Sequence, residues 1–241
     1  MRRTAVVPAL AYHKVAEIPQ GAVYRGNYVT PQQFKTQLGY LRARGYEAIS
    51  VHDLLAYRRG EADLPARPIL ITFDDGYRSI LEFALPALRE HGLFATVFVV
   101  TGLLGQTNQW DADELQEPLF SVEDVRRAAA DGHDVQSHTR THLDLNRLPE
   151  SLALAELRES RLELQRIVDT PVRVVAYPWG NPEQRVCRLA GEAGYEAGVI
   201  LRRRVNFDST SAFELRRIGI NHATSLARFA WDLARLRWRG E

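Results

Sequence analysis

Short apolar segments alternate along the chain with longer segments that have the 3.6-residue period of amphipathic helices. The apolar segments are rich in β-branched residues and show little polar alternation, which is typical of strands covered on both faces. Strand followed by helix, repeated almost to the end of the chain, predicts a parallel sheet with crossover helices. The predicted strands are AVVPALAY, YEAIS, PILITF, FATVFVV, HDVQSH, VRVVAY and EAGVIL.

Two of the predicted helices begin with capping boxes. Thr30 is the predicted N-cap of the first, with Pro31 at the first helical position and Gln33 three residues after the cap. Ser121 and Asp124 form the same pattern further along. A long amphipathic helix is predicted in PESLALAELRESRLELQRIV. Its expected sheet-facing residues are Leu152, Leu157, Leu164 and Ile167.

The 241 residues contain no internal repeat, low-complexity tract or linker rich in proline and serine. We therefore predict a single domain over residues 1–241. Two loops are longer than a compact α/β fold needs, Ala16–Thr30 and Gly102–Glu117. Long ordered loops often shape binding sites. We interpret Trp110, in the second loop, as a packing residue rather than a platform for sugars.

Charge and cysteine content limit the classes of partner and the kinds of metal site that this chain can have. Lys and Arg total 31 and Asp and Glu total 30. The net charge therefore indicates neither a nucleic-acid partner nor an acidic membrane surface, and an uncharged substrate fits it best. Cys187 is the only cysteine, which excludes an internal disulfide and any metal site built from several thiolates. A metal site in this chain must use histidine and carboxylate ligands.

The N-terminal sequence MRRTAVVPALAYHKV contains a short apolar stretch that is interrupted by Pro8. It continues into Tyr12 and His13 without a small-residue cleavage site, so we interpret it as the first strand rather than an export signal. No uninterrupted apolar stretch approaches the roughly 20 residues that span a bilayer. The predicted compartment is the cytoplasm, and an envelope location is left open.

Four predicted strands end in residues that carry chemistry. His13 follows the first strand, and Asp74 and Asp75 follow PILITF. His138 ends HDVQSH, with His142 four residues later, and a Tyr-Pro-Trp-Gly turn follows the strand in VRVVAY. The carboxyl ends of parallel strands converge on one face of the fold. We therefore expect these residues to share one rim.

The histidine spacing and the acid pair together indicate a metal site. His138 and His142 are spaced to share a cation, and Asp75 completes a set of two imidazoles and one carboxylate. Three protein ligands leave positions open for water and substrate, as in catalytic metal sites. Asp74 then stays ionised near the cation and can remove a proton from water. Taken alone, Asp-Asp-Gly is ordinary turn chemistry, so the hypothesis depends on the combination.

In this order, TFDDG, SHTRTH and YPWG resemble the motifs of the polysaccharide deacetylases with the NodB homology domain, carbohydrate esterase family four. The similarity covers nearly the whole chain, from AYHKV to FELRRIGI. The early Tyr-His and the Ala-Tyr-Pro-aromatic-Gly sequence look most like the branch that deacetylates poly-N-acetylglucosamine and related exopolysaccharides. The resemblance implies an α/β fold, a distorted (β/α) barrel of about seven parallel strands.

The resemblance also implies roles for individual residues. Asp74 matches the family's general base, and its metal ligands match Asp75, His138 and His142. The backbone N–H of Trp179 matches the donor that supports the oxyanion. The implied reaction is metal-dependent hydrolysis of an N-acetyl group on a sugar.

Three positions depart from the family pattern. Ala176 stands where many members have an arginine that orients the catalytic aspartate, so we expect that arginine to be missing. The fourth motif, which bears Asp and Trp, is not recognisable between Arg202 and Arg217. The histidine of the fifth motif, the usual general acid, has two candidates. His222 lies nearby in a different context, and His13 is its rival; water is the third proton source.

The sequence therefore predicts a hydrolase that acts on carbon–nitrogen bonds other than peptide bonds, a carbohydrate N-deacetylase whose partner is an acetylated glycan. Zn²⁺ is the predicted metal, with Co²⁺, Ni²⁺ and Fe²⁺ as alternatives. Two other functions stay open: a related barrel hydrolysing an O-acetyl ester or small cyclic amide, and a catalytically weak glycan-binding partner of a polysaccharide synthase. The predicted partners therefore include the polysaccharide-synthesis machinery.

Overall fold

The computed structural model describes residues 5–204, 206 and 209–238, so both ends of the predicted domain lie outside the described residues. Strands and helices alternate along this part of the chain. The strands are β1 (Ala9–Tyr12), β2 (Lys14–Val15), β3 (Tyr28–Val29), β4 (Glu47–Ala48), β5 (Pro68–Phe73), β6 (Thr96–Val99), β7 (Asp134–Ser137), β8 (Val174–Ala176), β9 (Ala197–Leu201) and β10 (Leu215–Gly219). The helices are α1 (Pro31–Ala43), α2 (Val51–Arg59), α3 (Leu85–Glu90), α4 (Val122–Ala130), α5 (Glu150–Gln165), α6 (Gln184–Glu192) and α7 (Leu226–Trp238).

Seven parallel strands close into a barrel. Around the ring the order is β1, β5, β6, β7, β8, β9 and β10, and β10 pairs with β1 to complete it. Two short pairings lie outside the ring: β4 on the first residues of β5, and β2 with β3. The predicted barrel of about seven parallel strands is confirmed.

One of the seven strands in the ring was not predicted. YEAIS forms only the two-residue strand β4 outside the ring, and β10 closes the barrel instead. The sequence of β10, LRRIG, has two arginines among its five residues and does not resemble a buried strand. Arg217 is nevertheless only 1% exposed. Its charge is paired inside the barrel, as described below.

Side chains alternate between two layers along the barrel strands. In β5, Ile69 and Ile71 belong to the core that the barrel shares with its helices. Leu70 belongs to a second cluster inside the barrel, with Phe98 among its members. The inward positions of β5 continue at every second residue, so the strand leads to Asp74 at the mouth of the barrel.

Two helices begin as their capping patterns predict. At α1, Thr30 Oγ1 accepts from the Gln33 backbone N–H at 3.2 Å, and Gln33 Oε1 accepts from the Thr30 backbone N–H at 3.1 Å. Ser121 and Asp124 form the same reciprocal pair at α4. These caps satisfy backbone donors that have no partner within the helix.

Helix α5 buries two of the residues expected to face the sheet, Leu157 and Leu164, but not Leu152. Its buried residues are Ala153, Leu157, Ser160 and Leu164. Leu152 is 55% exposed, so the expectation that it faces the sheet is wrong. Its position falls outside the i, i+4, i+7, i+11 stripe that the sheet covers.

None of the described helices combines the length and apolar character that a membrane span requires.

Candidate active site

The carboxyl ends of the barrel strands open into a pocket of about 280 Å³. Its lining residues fall into two groups, apart from those at or just after the ends of β8 and β9. The strand-end floor comes from segments that follow strands, and its residues are His13, Asp74, Asp75, His138 and His142. The loop wall comes from the two long loops, and its residues are Tyr24, Asn27, Trp110 and Asp111.

Three residues of the floor form a cluster with the composition of a metal site. Asp75, His138 and His142 each bring one ligand atom to within 4.8 Å of the others. The Nε2 atoms of His138 and His142 lie 3.1 and 3.4 Å from Asp75 Oδ1. All three residues are buried. Two imidazoles and one carboxylate suit Zn²⁺ and other divalent first-row metals, so these residues fit a divalent cation.

The ring of His138 is fixed by a backbone carbonyl. Its Nδ1 donates to the Ala176 carbonyl oxygen at 2.8 Å, which leaves Nε2 free to face Asp75. This is the usual arrangement of a metal-ligating histidine. Burial disfavours the imidazolium, but the hydrogen bond to Asp75 and the charges of Asp74 and Asp75 outweigh it, so the pKa of His138 is raised. A proton and a metal therefore compete for its Nε2 atom.

The other two residues of the cluster have protonation states that suit a metal. Burial alone would raise the pKa of Asp75, but hydrogen bonds from His138 and His142 hold it well below its usual range. The pKa of His142 is lowered, mainly because burial disfavours its charged form. An ionised carboxylate and a neutral imidazole are the forms that ligate metals.

Asp74 is bound by an arginine from inside the barrel. Arg217 donates from Nη1 to Asp74 Oδ1 at 2.6 Å and from Nη2 to Asp74 Oδ2 at 2.8 Å. Its Nη1 also donates to Thr72 Oγ1 at 2.9 Å. Burial would raise the pKa of Asp74, but the Arg217 charge and its hydrogen bonds, with His138 and His13 nearby, lower it overall. The carboxylate is therefore ionised and held in a fixed orientation.

The arginine expected to be missing at position 176 is indeed absent, but another arginine contacts Asp74. Ala176 occupies that position, and Arg217 reaches the carboxylate from β10. In FELRRIGI, Leu215 and Arg217 are two residues apart, so they share one face of the strand, and both are buried. This alternation was the one sequence pattern that could have indicated an inward-facing arginine. An arginine in a short, partly polar segment gave no reason to predict a barrel strand.

Backbone strain is concentrated at this site. Among the described residues other than glycine, positive φ occurs at Asp75, Thr139, His142 and Trp179. Each such conformation costs about 1–3 kcal/mol and persists only where the surrounding structure enforces it. Gly76, directly after Asp75, also has positive φ, and a Cβ atom there would lie 2.9 Å from Val99 Cγ1. The turn after β5 therefore requires glycine at this position.

The structure separates the two histidines that were candidates for the proton donor. His13 lines the pocket, and its Nε2 lies 4.0 Å from Asp74 Oδ2. His222 is not among the lining residues; its Nδ1 lies 2.7 Å from the Arg25 carbonyl oxygen. Trp179 lines the pocket with its side chain 62% exposed. His13 and Trp179 thus share the pocket with Asp74, and His222 does not.

The loop wall was only partly anticipated. The lengths of the two loops indicated a role in binding, but no pattern identified Tyr24 or Asp111. The loops are joined by Glu114, whose carboxylate accepts backbone N–H bonds from Val23, at 3.2 Å, and from Tyr24. A contact between residues so far apart along the chain leaves no local sequence signature.

Comparison with known proteins identifies the family. The sequence pattern of the family described as polysaccharide deacetylase matches residues 61–198, more than half of the chain. The chain belongs to the polysaccharide deacetylase family. The predicted family is thereby confirmed. The matched region contains Asp74, Asp75 and both histidines of the cluster.

Known members extend the match over most of this polysaccharide deacetylase. The poly-β-1,6-N-acetyl-D-glucosamine N-deacetylase of Staphylococcus epidermidis is 25% identical over 247 residues, which cover 93% of this chain and 82% of that protein. The structure of the Streptococcus pyogenes deacetylase PplD in complex with acetate matches with a TM-score of 0.84 and 22% identity, over 96% of this chain and 99% of that one. The structure of IcaB from Ammonifex degensii matches with a TM-score of 0.80 and 23% identity, over 95% and 97%. The two structures confirm the fold.

Proposed function

We propose that this polysaccharide deacetylase is a metal-dependent N-deacetylase of a polymer or oligomer of N-acetylglucosamine. One observation carries the proposal: Asp74, which is paired with the buried Arg217, lines the same pocket as the cluster of Asp75, His138 and His142. A fixed, ionised base beside a set of metal ligands is what hydrolysis of an unactivated amide requires.

The cluster is the proposed metal site. Asp75 Oδ1 and the Nε2 atoms of His138 and His142 would hold the cation. Zn²⁺ fits two imidazoles and one carboxylate, and Co²⁺, Ni²⁺ and Fe²⁺ are the alternatives. When bound, such a cation polarises the acetamide carbonyl and lowers the pKa of a water molecule.

Asp74 is the proposed general base. Its carboxylate accepts the proton of the attacking water while Arg217 keeps both carboxylate oxygens in place. The same arginine lowers the pKa of Asp74, which ensures ionisation but weakens the base. The reaction therefore needs a water that is more acidic than bulk water. This is why the base and the metal ligands must occupy one pocket.

His13 is the proposed proton donor, and Trp179 the proposed oxyanion donor. The attacking water oxygen forms a bond to the acetyl carbon, and the carbon–nitrogen bond then breaks. The departing nitrogen takes a proton from His13 and leaves as an amine, and the acyl group leaves as acetate. The backbone N–H of Trp179 is the proposed donor to the oxygen that gains negative charge. The position of His13 beside Asp74, with His222 outside the pocket, supports this choice.

The proposed substrate is a β-1,6-linked N-acetylglucosamine polymer. The name and the coverage of the staphylococcal relative support this choice. Tyr24 and Trp179 are 44% and 62% exposed at the pocket, and exposed aromatic rings suit the apolar faces of sugars. Association with the polysaccharide-synthesis machinery and a cytoplasmic location stay predictions.

Acetate release from defined substrates tests the proposal. Metal-stripped protein would be assayed with Zn²⁺, Co²⁺ or Ni²⁺ added back, on β-1,6-linked and β-1,4-linked N-acetylglucosamine oligomers and on an acetate ester. We expect metal-restored acetate release from the β-1,6-linked oligomers, and none from Asp74→Asn. Release from the ester alone would replace the proposal by an esterase function. No release from any substrate by protein that binds metal would favour the glycan-binding alternative.

A further inference from the structure

The two histidines of the metal cluster differ in what holds their rings. His138 has the usual hydrogen bond from Nδ1, to the Ala176 carbonyl. The Nδ1 atom of His142 is buried and has no hydrogen-bond partner within the described residues. A metal-ligating histidine almost always makes that second bond, which fixes both its tautomer and the direction of its Nε2 atom. Something else must therefore orient the His142 ring.

The indole ring of Trp110 is the group placed to orient the His142 ring. It stacks on the imidazole of His142 with ring centroids 4.3 Å apart and an interplanar angle of 23°. The other rings near His142 contact it at steeper angles: His138 at 4.9 Å and 70°, and Trp179 at 5.9 Å and 57°. Trp110 is thus the one ring of the three that covers a face of His142.

The backbone of His142 makes such support necessary. His142 has a φ of 62°, a conformation that non-glycine residues rarely adopt. It lies beyond the end of β7 in a segment without regular structure, so no ladder of strand hydrogen bonds fixes it. The direction of its ring therefore depends on the side chains packed against it.

Trp110 is itself well anchored for this purpose. Its ring packs against the main core and lies 6.4 Å from the ring of Tyr77. The loop around it folds over the fully buried Asn108, whose side chain donates to the Leu115 carbonyl at 3.1 Å and accepts from the Glu117 backbone N–H at 2.7 Å. The indole is therefore a fixed surface, not a mobile loop tip.

We propose that Trp110 is a positioning residue that holds the His142 ring, by stacking, in the direction needed to bind a divalent cation. The proposal rests on the metal site of the proposed function. It assigns Trp110 no contact with the metal or with the reacting atoms. It adds a role to our interpretation of Trp110 as a packing residue, since its ring also packs against the main core.

The test measures Zn²⁺ affinity of the metal-stripped full chain by competition with a chromophoric chelator. Trp110→Phe keeps a flat ring, Trp110→Leu keeps apolar bulk without one, and Trp110→Ala removes both. Trp231→Ala is the matched control: Trp231 is 49% exposed on α7, and the guanidinium groups of Arg228 and Arg235 each lie 5.0 Å from its ring centroid. Circular dichroism would confirm that each variant folds.

We expect Trp110→Leu and Trp110→Ala to weaken Zn²⁺ binding about 10–100-fold, the range found when supporting groups around metal ligands are removed. Trp110→Phe should retain most of the affinity, and Trp231→Ala all of it. The visible spectrum of bound Co²⁺ should change in Trp110→Leu but not in Trp110→Phe, because it reports ligand geometry. If Trp110→Ala does not fold, Trp110→Leu decides the outcome.

Folded Trp110→Leu that binds Zn²⁺ as tightly as wild type, with an unchanged Co²⁺ spectrum, would overturn the inference. Equal losses in Trp110→Leu and Trp110→Phe would also overturn it, because the indole would then act through its size and not through a flat ring. The proposed function is judged separately, by acetate release from the wild-type protein. Either idea can therefore fail while the other stands.

Discussion

The strand-end floor and the loop wall face the same pocket but are held together differently. On the floor, Asp74 is paired with Arg217, and Asp75 with two imidazoles, all within the buried mouth of the barrel. On the wall, Tyr24 is 44% exposed and Asp111 is only half-buried. Burial, followed by the charge of Asp75, raises the pKa of Asp111. The carboxylates of the floor are thus paired with positive or hydrogen-bonding partners, whereas the wall carries exposed or weakly compensated groups.

This difference suits the floor to the reaction chemistry and the wall to recognition of the substrate. Reaction chemistry needs fixed charges in a dry setting, which barrel strands provide. Recognition of a sugar polymer needs exposed rings and polar groups, which loops provide. Changes to the floor should therefore reduce turnover. Changes to the wall should mainly raise KM, except at Trp110, whose proposed role is to hold the His142 ring.

The largest expected effect is that of Asp74→Asn. The amide cannot take a proton from water, so we expect turnover to fall about 10²–10⁴-fold, the usual contribution of a general base. Metal binding should persist, because Asp74 is not one of the three ligands. Acetate release and metal content would be measured on the same samples, with the exposed Asp169→Asn as control. Turnover near the wild-type level would remove Asp74 from the role of base.

The next effect distinguishes the two candidate proton donors. His13→Gln removes the acid beside Asp74, and we expect turnover to fall about 10²-fold. His222→Gln should leave turnover unchanged, because His222 lies outside the pocket lining. Steady-state acetate release from both variants makes the comparison. The reverse ranking of the two variants would assign the proton to His222.

Arg217 tests whether the floor depends on its buried ion pair. Arg217→Met leaves the Asp74 carboxylate buried and unpaired, so we expect a loss of about 3–5 kcal/mol in the free energy of unfolding. Arg217→Lys keeps the charge but cannot make the bidentate hydrogen bond, so its free energy of unfolding should fall by less than that of Arg217→Met. Urea unfolding would measure both, with Arg216→Lys, the next residue on β10, as control. Wild-type stability in Arg217→Met would contradict the importance of the pair.

The same pair predicts a pH dependence of stability. The pKa of Asp74 is lowered in the folded protein, against about 3.9 in the unfolded chain. Its stabilising contribution is therefore complete above about pH 4 and is lost as pH falls further, through the folded-state pKa. Urea unfolding from pH 3 to 7 should show wild type and Asp74→Asn farthest apart near neutrality and converging in acid. A constant difference across that range would contradict the argument.

The smallest effect is expected on the wall. Glu114 joins the two long loops, and although burial would raise its pKa, backbone N–H bonds from Tyr24, Leu115 and Val23 lower it overall. Glu114→Gln removes the charge that strengthens those bonds, so we expect KM to rise a few-fold with kcat nearly unchanged. Glu123→Gln, exposed on α4, is the matched control. A fall in kcat without a change in KM would mean that the wall also affects the chemistry.

Sequence patterns predicted the parts of the molecule that depend on neighbouring residues. The caps at Thr30 and Ser121 are local hydrogen-bond patterns, and both helices begin where those patterns indicated. The placement of Asp74, Asp75, His138 and His142 on one rim follows from strands that run parallel in one barrel. The count of seven strands was right but the set was not, because YEAIS lies outside the ring and β10 completes it.

Contacts between distant segments were not predictable in the same way. Arg217 pairs with Asp74 across 143 positions of the chain, and its strand carries charges that conceal it. Glu114 contacts Val23 across 91 positions. Leu152 was misplaced because the face that α5 buries is set by the sheet beneath it. Each of these depends on tertiary packing, which a local pattern does not encode.

Metal titration of the stripped protein tests the central claim most directly. Zn²⁺ would be added in steps while bound metal and acetate release from β-1,6-linked N-acetylglucosamine oligomers are measured together. The account predicts that activity rises in proportion to bound metal and stops at one equivalent, and that His138→Ala abolishes both binding and release. Full acetate release from the stripped protein, or from a His138→Ala variant that binds no metal, would contradict it.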